Sequence, residues 1–321
     1  MRLRLRTKMR DKIMKTAFLF SGQGAQYVGM GQNLYQQESI VKQTFDEASE
    51  VLGYDMAELC FVENEKLNQT VYTQPAILTV SVAFWRLLVD KGFKPDAVAG
   101  LSLGEYSALV ASGALDFKTA VALVAKRGAF MANAAPQGTG KMVAVMNAPI
   151  ETIEAVCEQA SEKGVVSPAN YNTPKQIVIG GEVAAVDYAI DLLKEAGVKR
   201  VIPLNVSGPF HTALLKPAAE QLKDELESVE INKMSVPVIS NTTAKIMEQE
   251  DVKELLEKQV MSPVRFYESV ATLKELGIER VVEVGPGKVL SGFIKKIDKS
   301  LAISRVENCE TLEETEAFLA E

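Results

Sequence analysis

With 321 residues, 47% of them hydrophobic and 24% charged, the chain can bury the core of one large domain or of a domain carrying a smaller insertion. No apolar run approaches the roughly 18 residues that span a bilayer, and the first residues lack the apolar stretch of a secretion signal, so no membrane partner is expected. The net charge is −7, and residues 1–15 hold seven Lys/Arg against one Asp; the rest is more acidic still, which argues against nucleic acid.

Residues 1–13 read as a solvated arm without function. From Lys15 onward short apolar runs alternate with helical periodicities, the pattern of an α/β protein with a mainly parallel sheet. A buried strand, Ala17-Phe18-Leu19-Phe20, runs into the glycine turn Ser21-Gly22-Gln23-Gly24. Helices are expected over 74–91, 103–112 and 117–134, with a strand at 97–100. Between 138 and 205 the order becomes strand (142–146), helix (150–162), strand (165–169), strand (176–180), helix (183–196) and strand (199–205). That βαββαβ order predicts a ferredoxin-like subdomain, entered through a hinge at Gln137-Gly138-Thr139-Gly140, which shapes a cleft without supplying nucleophile or base. After the loop Asn205–His211 the main domain resumes with a helix from Leu214 to Leu226, strands near 236–240 and 280–284, and helices near 251–260, 265–276 and 287–297. The expected architecture is an α/β-hydrolase-like large subdomain (14–137 and 206–321) with 138–205 inserted. Cys60, Cys157 and Cys309 lie far apart with no Cys-x-x-Cys pair, which fits a reducing cytoplasm and offers no metal or disulfide framework.

Gly100-Leu101-Ser102-Leu103-Gly104 fits the Gly-x-Ser-x-Gly nucleophile elbow, with a strand before it and a helix after. The sharp turn presents the serine oxygen at the carboxyl end of a strand, and the Leu103 N–H at the helix N-terminus can stabilise an oxyanion. A serine alcohol needs a base, and the chain has one histidine, His211, in a Gly-Pro loop after a predicted strand. A histidine base predicts a near-neutral ionisation in the pH profile. His211 is followed by 110 residues, which weakens a simple hydrolase reading, where the histidine comes near the chain end.

The chain resembles the malonyl-CoA:acyl carrier protein transacylases of fatty-acid synthesis and the acyltransferase domains of polyketide synthases over about residues 15–305. The resemblance rests on FLFSGQGAQYVGMG (18–31), TQPAIL (73–78), GLSLGEYSAL (100–109), KRGAFM (126–131), NYNTPKQIVIGG (170–181), SGPFHT (207–212), QVMSPVRF (259–266) and EVGPGKVLSG (283–292). It implies ping-pong transfer of malonyl from malonyl-CoA to the phosphopantetheine thiol of an acyl carrier protein through a malonyl ester of Ser102, with His211 as base. It further implies that the backbone carbonyl of Gln259 orients His211 and that the amides of Gln23 and Leu103 form the oxyanion hole. Arg127 would bind the malonyl carboxylate, for which a guanidinium fork is well shaped. Phe210 resembles the malonyl-selecting form of its loop, where a bulky ring crowds an α-methyl group. Thioester exchange needs no metal and no cofactor, and a monomer is expected. An acidic carrier calls for a basic patch, for which Lys199, Arg200, Lys295 and Lys296 are candidates.

Leu101 stands where many relatives have histidine, so a second histidine beside the serine is absent. Glu105, on the helix after the elbow, reads as structural. Two rivals are a serine lipase or thioesterase, whose patatin-like form would pair serine with an Asp-Gly that this chain lacks, and a carrier-binding module with a degenerate site, which Ser102, His211 and Arg127 together disfavour.

Overall fold

The computed structural model describes residues 14–136, 138–206 and 208–321; the expected arm at 1–13, the hinge residue Gln137 and Ser207 lie outside them. The chain opens with β1 (Lys15–Phe20), then α1 (Gln32–Gln37), α2 (Ser39–Leu52), α3 (Met56–Phe61) and α4 (Thr70–Asp90). There follow β2 (Ala97–Gly100), α5 (Gly104–Ala111) and α6 (Phe117–Ala134). A second group comprises β3 (Gly140–Met146), α7 (Ile150–Ala160), β4 (Val166–Thr173), β5 (Gln176–Glu182), α8 (Val183–Glu195) and β6 (Arg200–Pro203). The chain then returns through α9 (Lys216–Glu227), α10 (Val252–Met261), α11 (Phe266–Glu275), β7 (Ile278–Val284), α12 (Val289–Ile297), β8 (Ala302–Val306) and α13 (Cys309–Ala320).

The first sheet is parallel, in the order β2-β1-β7-β8. Helices cover both its faces, so β1 and β2 read as continuous apolar runs rather than as an alternation. The second sheet is antiparallel, in the order β4-β5-β3-β6, with a core of its own formed against α7 and α8 by Val143, Ile153, Ile177, Ile179 and Leu193. A mixed α/β fold with one parallel and one antiparallel sheet is therefore present. The two are stitched together where the Tyr171 N–H donates to the Val264 carbonyl at 2.8 Å and the Val264 N–H to the Ala169 carbonyl at 2.9 Å.

Two expectations change. The strand near 236–240 forms only isolated bridges, Val98 to Val238 and Ile239 to Ile246, because Pro237 has no N–H and uses only its carbonyl, which accepts from Val98. The helix expected from residue 74 begins at Thr70 and carries Pro75 inside it, at the loss of one helical hydrogen bond.

The carboxyl ends of β1 and β2 approach each other closely. A Cβ on Gly22 would lie 2.3 Å from the Leu101 carbonyl oxygen, and one on Gly104 would lie 2.1 Å from that of Phe20. Only glycine allows the two turns to pack in this way, which brings Gln23 beside the elbow.

Candidate active site

Ser102 sits in the turn between β2 and α5 with φ at +52°, a left-handed conformation that the surrounding hydrogen bonds hold in place. Its N–H donates to Asn241 Oδ1 at 2.7 Å, Asn241 Nδ2 donates to the Gly100 carbonyl at 2.6 Å, and Gln259 Nε2 donates to the Ser102 carbonyl at 2.9 Å. The turn is thus clamped from both sides. The N–H groups of Gly104, Glu105 and Tyr106 are taken by the carbonyls of Leu101, Ser102 and Leu103, and among the described residues no hydrogen bond engages the Leu103 N–H.

His211 is brought to the elbow from the loop before α9. Its Nε2 lies 2.8 Å from Ser102 Oγ, and its Nδ1 lies 2.8 Å from the Gln259 carbonyl oxygen. A carbonyl can only accept, so Nδ1 carries the proton and Nε2 is left with the lone pair that receives the serine proton. Burial, and then the positive charge of Arg127, push the His211 pKa down from 6.5 to about 4. That direction favours the neutral imidazole and sets the acid limb of the pH profile below the expected near-neutral ionisation.

Arg127 projects from α6 and is only 1% exposed. A Cβ on its neighbour Gly128 would lie 2.7 Å from the Thr70 carbonyl oxygen, so the glycine lets α6 close onto the start of α4 and carries Arg127 to Gln74. Its Nη1 donates to Gln74 Oε1 at 2.7 Å; its Nη2 donates to Gln259 Oε1 at 2.9 Å and to Ser102 Oγ at 3.2 Å. The guanidinium also lies over the ring of Tyr106, 5.3 Å from its centroid. A buried cation to which, among the described residues, no carboxylate bonds directly stands at the nucleophile. Its partners are neutral oxygens that a bound anion can replace or share.

These residues open onto a cleft of about 350 Å³ between the two sheets. Gln23, Leu101, Leu103 and Phe210 line it from the parallel side, Met142, Asn172 and Val178 from the antiparallel side, and Val289 and Phe293 of α12 complete the wall. Lys199, Arg200, Lys295 and Lys296 are all exposed and none lines the cleft.

Every residue singled out in the sequence for this site therefore lies at the cleft or touches a residue that does. Missing from that reading are Gln74, Asn241 and the side chain of Gln259. Gln74 sits inside the TQPAIL motif without an evident task. Asn241 belongs to the polar run Ser240-Asn241-Thr242-Thr243 directly after an apolar stretch, a signal that marks a loop but no partner. Glu105 is fully buried and accepts from the Asn241 N–H at 2.5 Å and from Gln259 Nε2 at 3.2 Å, which bears out a structural task. Burial raises its pKa to about 8, against the opposing pull of the Asn241 N–H and of Arg127.

Residues 17–314 match the family described as acyl transferase domain. The chain is 49% identical over 302 residues to the malonyl CoA-acyl carrier protein transacylase of Bacillus subtilis, covering 93% of this chain and 95% of that one. Among solved structures, the MCAT of Streptococcus pneumoniae superposes with a TM-score of 0.92 at 61% identity, over 95% of this chain and 99% of the other. A malonyl-transacylase solved in complex with a type II PKS acyl-carrier protein superposes with a TM-score of 0.91 at 44% identity, over 93% and 98% of the respective chains.

Proposed function

The chain belongs to the acyl transferase domain family, and from that premise we propose that it transfers malonyl from malonyl-CoA to the phosphopantetheine thiol of an acyl carrier protein. The observation that carries this reading is the position of Ser102 Oγ. It lies within hydrogen-bond reach of both a neutral imidazole nitrogen and a buried guanidinium, so a base and an anion-binding group converge on one nucleophile.

In the first half-reaction Ser102 Oγ attacks the thioester carbonyl carbon while its proton passes to His211 Nε2. The imidazolium so formed is stabilised through Nδ1–H by the Gln259 carbonyl, a dyad in which a backbone dipole replaces a carboxylate. The carbonyl oxygen takes up negative charge against the N–H groups of Gln23 and Leu103. Collapse breaks the carbon–sulfur bond, and the coenzyme A thiolate leaves with the proton from His211. In the second half-reaction the carrier's thiol gives its proton to His211 and its sulfur attacks the carbonyl carbon of the malonyl ester; the bond to Ser102 Oγ then breaks, and His211 returns the proton to that oxygen. Through both steps Arg127 holds the free carboxylate in a bidentate fork, and the Phe210 ring, 7% exposed in the lining, crowds a substituent on the α-carbon.

The chemistry calls for no metal and no cofactor. The order βαββαβ with strands arranged β4-β5-β3-β6 supports reading 138–205 as a ferredoxin-like insertion in an α/β-hydrolase-like unit formed by 14–137 and 206–321. We take the chain as a cytoplasmic monomer; among the described residues no helix is long and apolar enough to cross a membrane. An acidic carrier would approach along α12, whose Val289 and Phe293 line the cleft while Lys295 and Lys296 stand in its last turn, with Lys199 and Arg200 at the start of β6.

The test is the intact mass of the protein after mixing with malonyl-CoA, then after addition of a carrier bearing its pantetheine arm. A malonyl increment that maps to Ser102 and is discharged by the carrier is expected. An increment elsewhere, or one that water discharges as fast as the carrier does, contradicts the reading.

A further inference from the structure

Glu105 takes no part in the reaction just described, yet it is completely buried three residues after the nucleophile. Its two oxygens have separate partners: Oε2 accepts from the Asn241 N–H and Oε1 from Gln259 Nε2. Asn241 and Gln259 are the residues that clamp the elbow, and Gln259 also reaches Arg127. Glu105 therefore stands behind both.

The Gln259 amide has a donor end and an acceptor end, and whatever fixes one fixes the other. Its Nε2 faces Glu105 Oε1 and the Ser102 carbonyl, both acceptors, while its Oε1 faces Arg127 Nη2 at 2.9 Å. Were the amide turned over, its NH₂ would confront a guanidinium and its oxygen would confront a carboxylate and a carbonyl. Both Glu105 oxygens accept, Oε2 from the Asn241 N–H and Oε1 from Gln259 Nε2, and that arrangement holds the amide in the sense described.

We propose that Glu105 is a positioning residue for malonyl selection: by holding the Gln259 side chain in one sense, it aims the Arg127 guanidinium at the carboxylate of the incoming acyl group. The inference rests on the malonyl-transfer reading and adds to it a residue whose side chain touches neither substrate nor nucleophile. His211 is oriented by the backbone carbonyl of Gln259, which survives a change of side chain. The two tasks of Gln259 can therefore be separated.

An uncharged acyl group makes no use of Arg127 and supplies the control. Initial rates of Ser102 loading from malonyl-CoA and from acetyl-CoA are to be measured in the intact chain, in Glu105→Gln, in Gln259→Met and in the double variant. Glu105→Gln is isosteric but can present an NH₂ to either partner, so it no longer accepts from both. Its malonyl loading is expected to fall about 10-fold, chiefly through KM, while acetyl loading stays within about 3-fold. Gln259→Met, which also loosens the clamp on the Ser102 carbonyl, should lower malonyl loading more than acetyl loading, and adding Glu105→Gln to it should change the malonyl-to-acetyl ratio no further. A Glu105→Gln variant that loads both acyl groups equally poorly would overturn the proposal, since a residue that merely supports the elbow behaves so. An undiminished effect of Glu105→Gln in the Gln259→Met background would overturn it too. If Glu105→Gln does not fold, Glu105→Asp keeps the carboxyl but withdraws it by one methylene from Gln259, and must show the same preference. A wild-type chain that loads acetyl but not malonyl would strike the functional reading itself, and this inference with it.

Discussion

The parallel and antiparallel sheets face each other across one cleft and contribute to it differently. From the parallel side come Ser102, at the end of β2, and Gln23, at the end of β1, with Arg127, His211 and Gln259 supplied by helices and loops packed on that sheet. From the antiparallel side come Met142, Ala144, Asn170, Asn172, Gln176 and Val178, which line the space without touching the nucleophile. Strands buried on both faces and crossed by glycine-dependent close approaches fix atoms to tenths of an ångström, as proton transfer and oxyanion binding require. A separate small layer with its own core can vary the shape and polarity of the opposite wall while the machinery stays intact.

The comparison breaks most sharply at the nucleophile. Ser102→Ala should abolish the malonyl adduct on intact-mass measurement, and an adduct surviving in that variant would mean that the antiparallel side or another residue supplies the nucleophile. His211→Ala should slow acylation by roughly 10²–10⁴-fold in stopped-flow or quenched measurements, the range for loss of a positioned base. A loss no greater than that of a wall residue would erase the distinction between the two sides.

Substitutions on the antiparallel wall should act far more gently. Among the described residues Asn172 Oδ1 is buried at the cleft without a hydrogen-bond partner, which makes it a candidate acceptor for the substrate. Asn172→Ala should raise the KM for malonyl-CoA by about 2- to 10-fold, as for a neutral hydrogen bond, with the maximal acylation rate little changed. A fall in that rate comparable to His211→Ala would show that the wall takes part in the chemistry.

The smallest effect concerns pH. With its folded pKa depressed to about 4, His211 is already neutral at pH 6, and serine reactivity should show its acid limb near 4 rather than near 6.5. Removing a neighbouring cation favours the charged imidazolium, so Arg127→Ala must move that limb upward, never downward. Labelling by an uncharged fluorophosphonate as a function of pH measures this without the substrate's own ionisation. A limb near 6.5 in the wild type would show that His211 is less enclosed than described.

Much of the site was legible in the sequence because its chemistry is written in short runs. Gly100–Gly104 is local, and Arg127 and His211 stand inside motifs that resemble a known family. The partners that aim those residues were not legible: Asn241 acquires meaning only by lying 139 positions away from Ser102 yet 2.7 Å from its N–H. The resemblance assigns a task to the Gln259 carbonyl alone, since a side chain's partner cannot be deduced from an apolar–polar pattern. In the fold, the βαββαβ order was visible through its alternating periodicities. Helices α1 to α3, strand β8 and helix α13 received no expectation, although Val41, Thr44, Phe45 and Ala48 place a clear inward stripe on α2. The bridges at 238 and 239 replace an expected strand because apolar character cannot supply the hydrogen-bond donor that Pro237 lacks.

The central claim, that a buried cation at the nucleophile selects a carboxylate-bearing acyl group, is tested most directly by the ratio of malonyl to acetyl loading on Ser102 in wild type, Arg127→Ala and Arg127→Lys. Loss of one partner from a buried charged pair costs about 2–5 kcal/mol, and about 1.4 kcal/mol is tenfold. Malonyl loading should therefore fall about 30-fold or more in Arg127→Ala while acetyl loading holds or improves, and Arg127→Lys should recover only part, because a point charge does not reproduce the fork. A ratio unchanged in Arg127→Ala would place the carboxylate elsewhere and contradict the account.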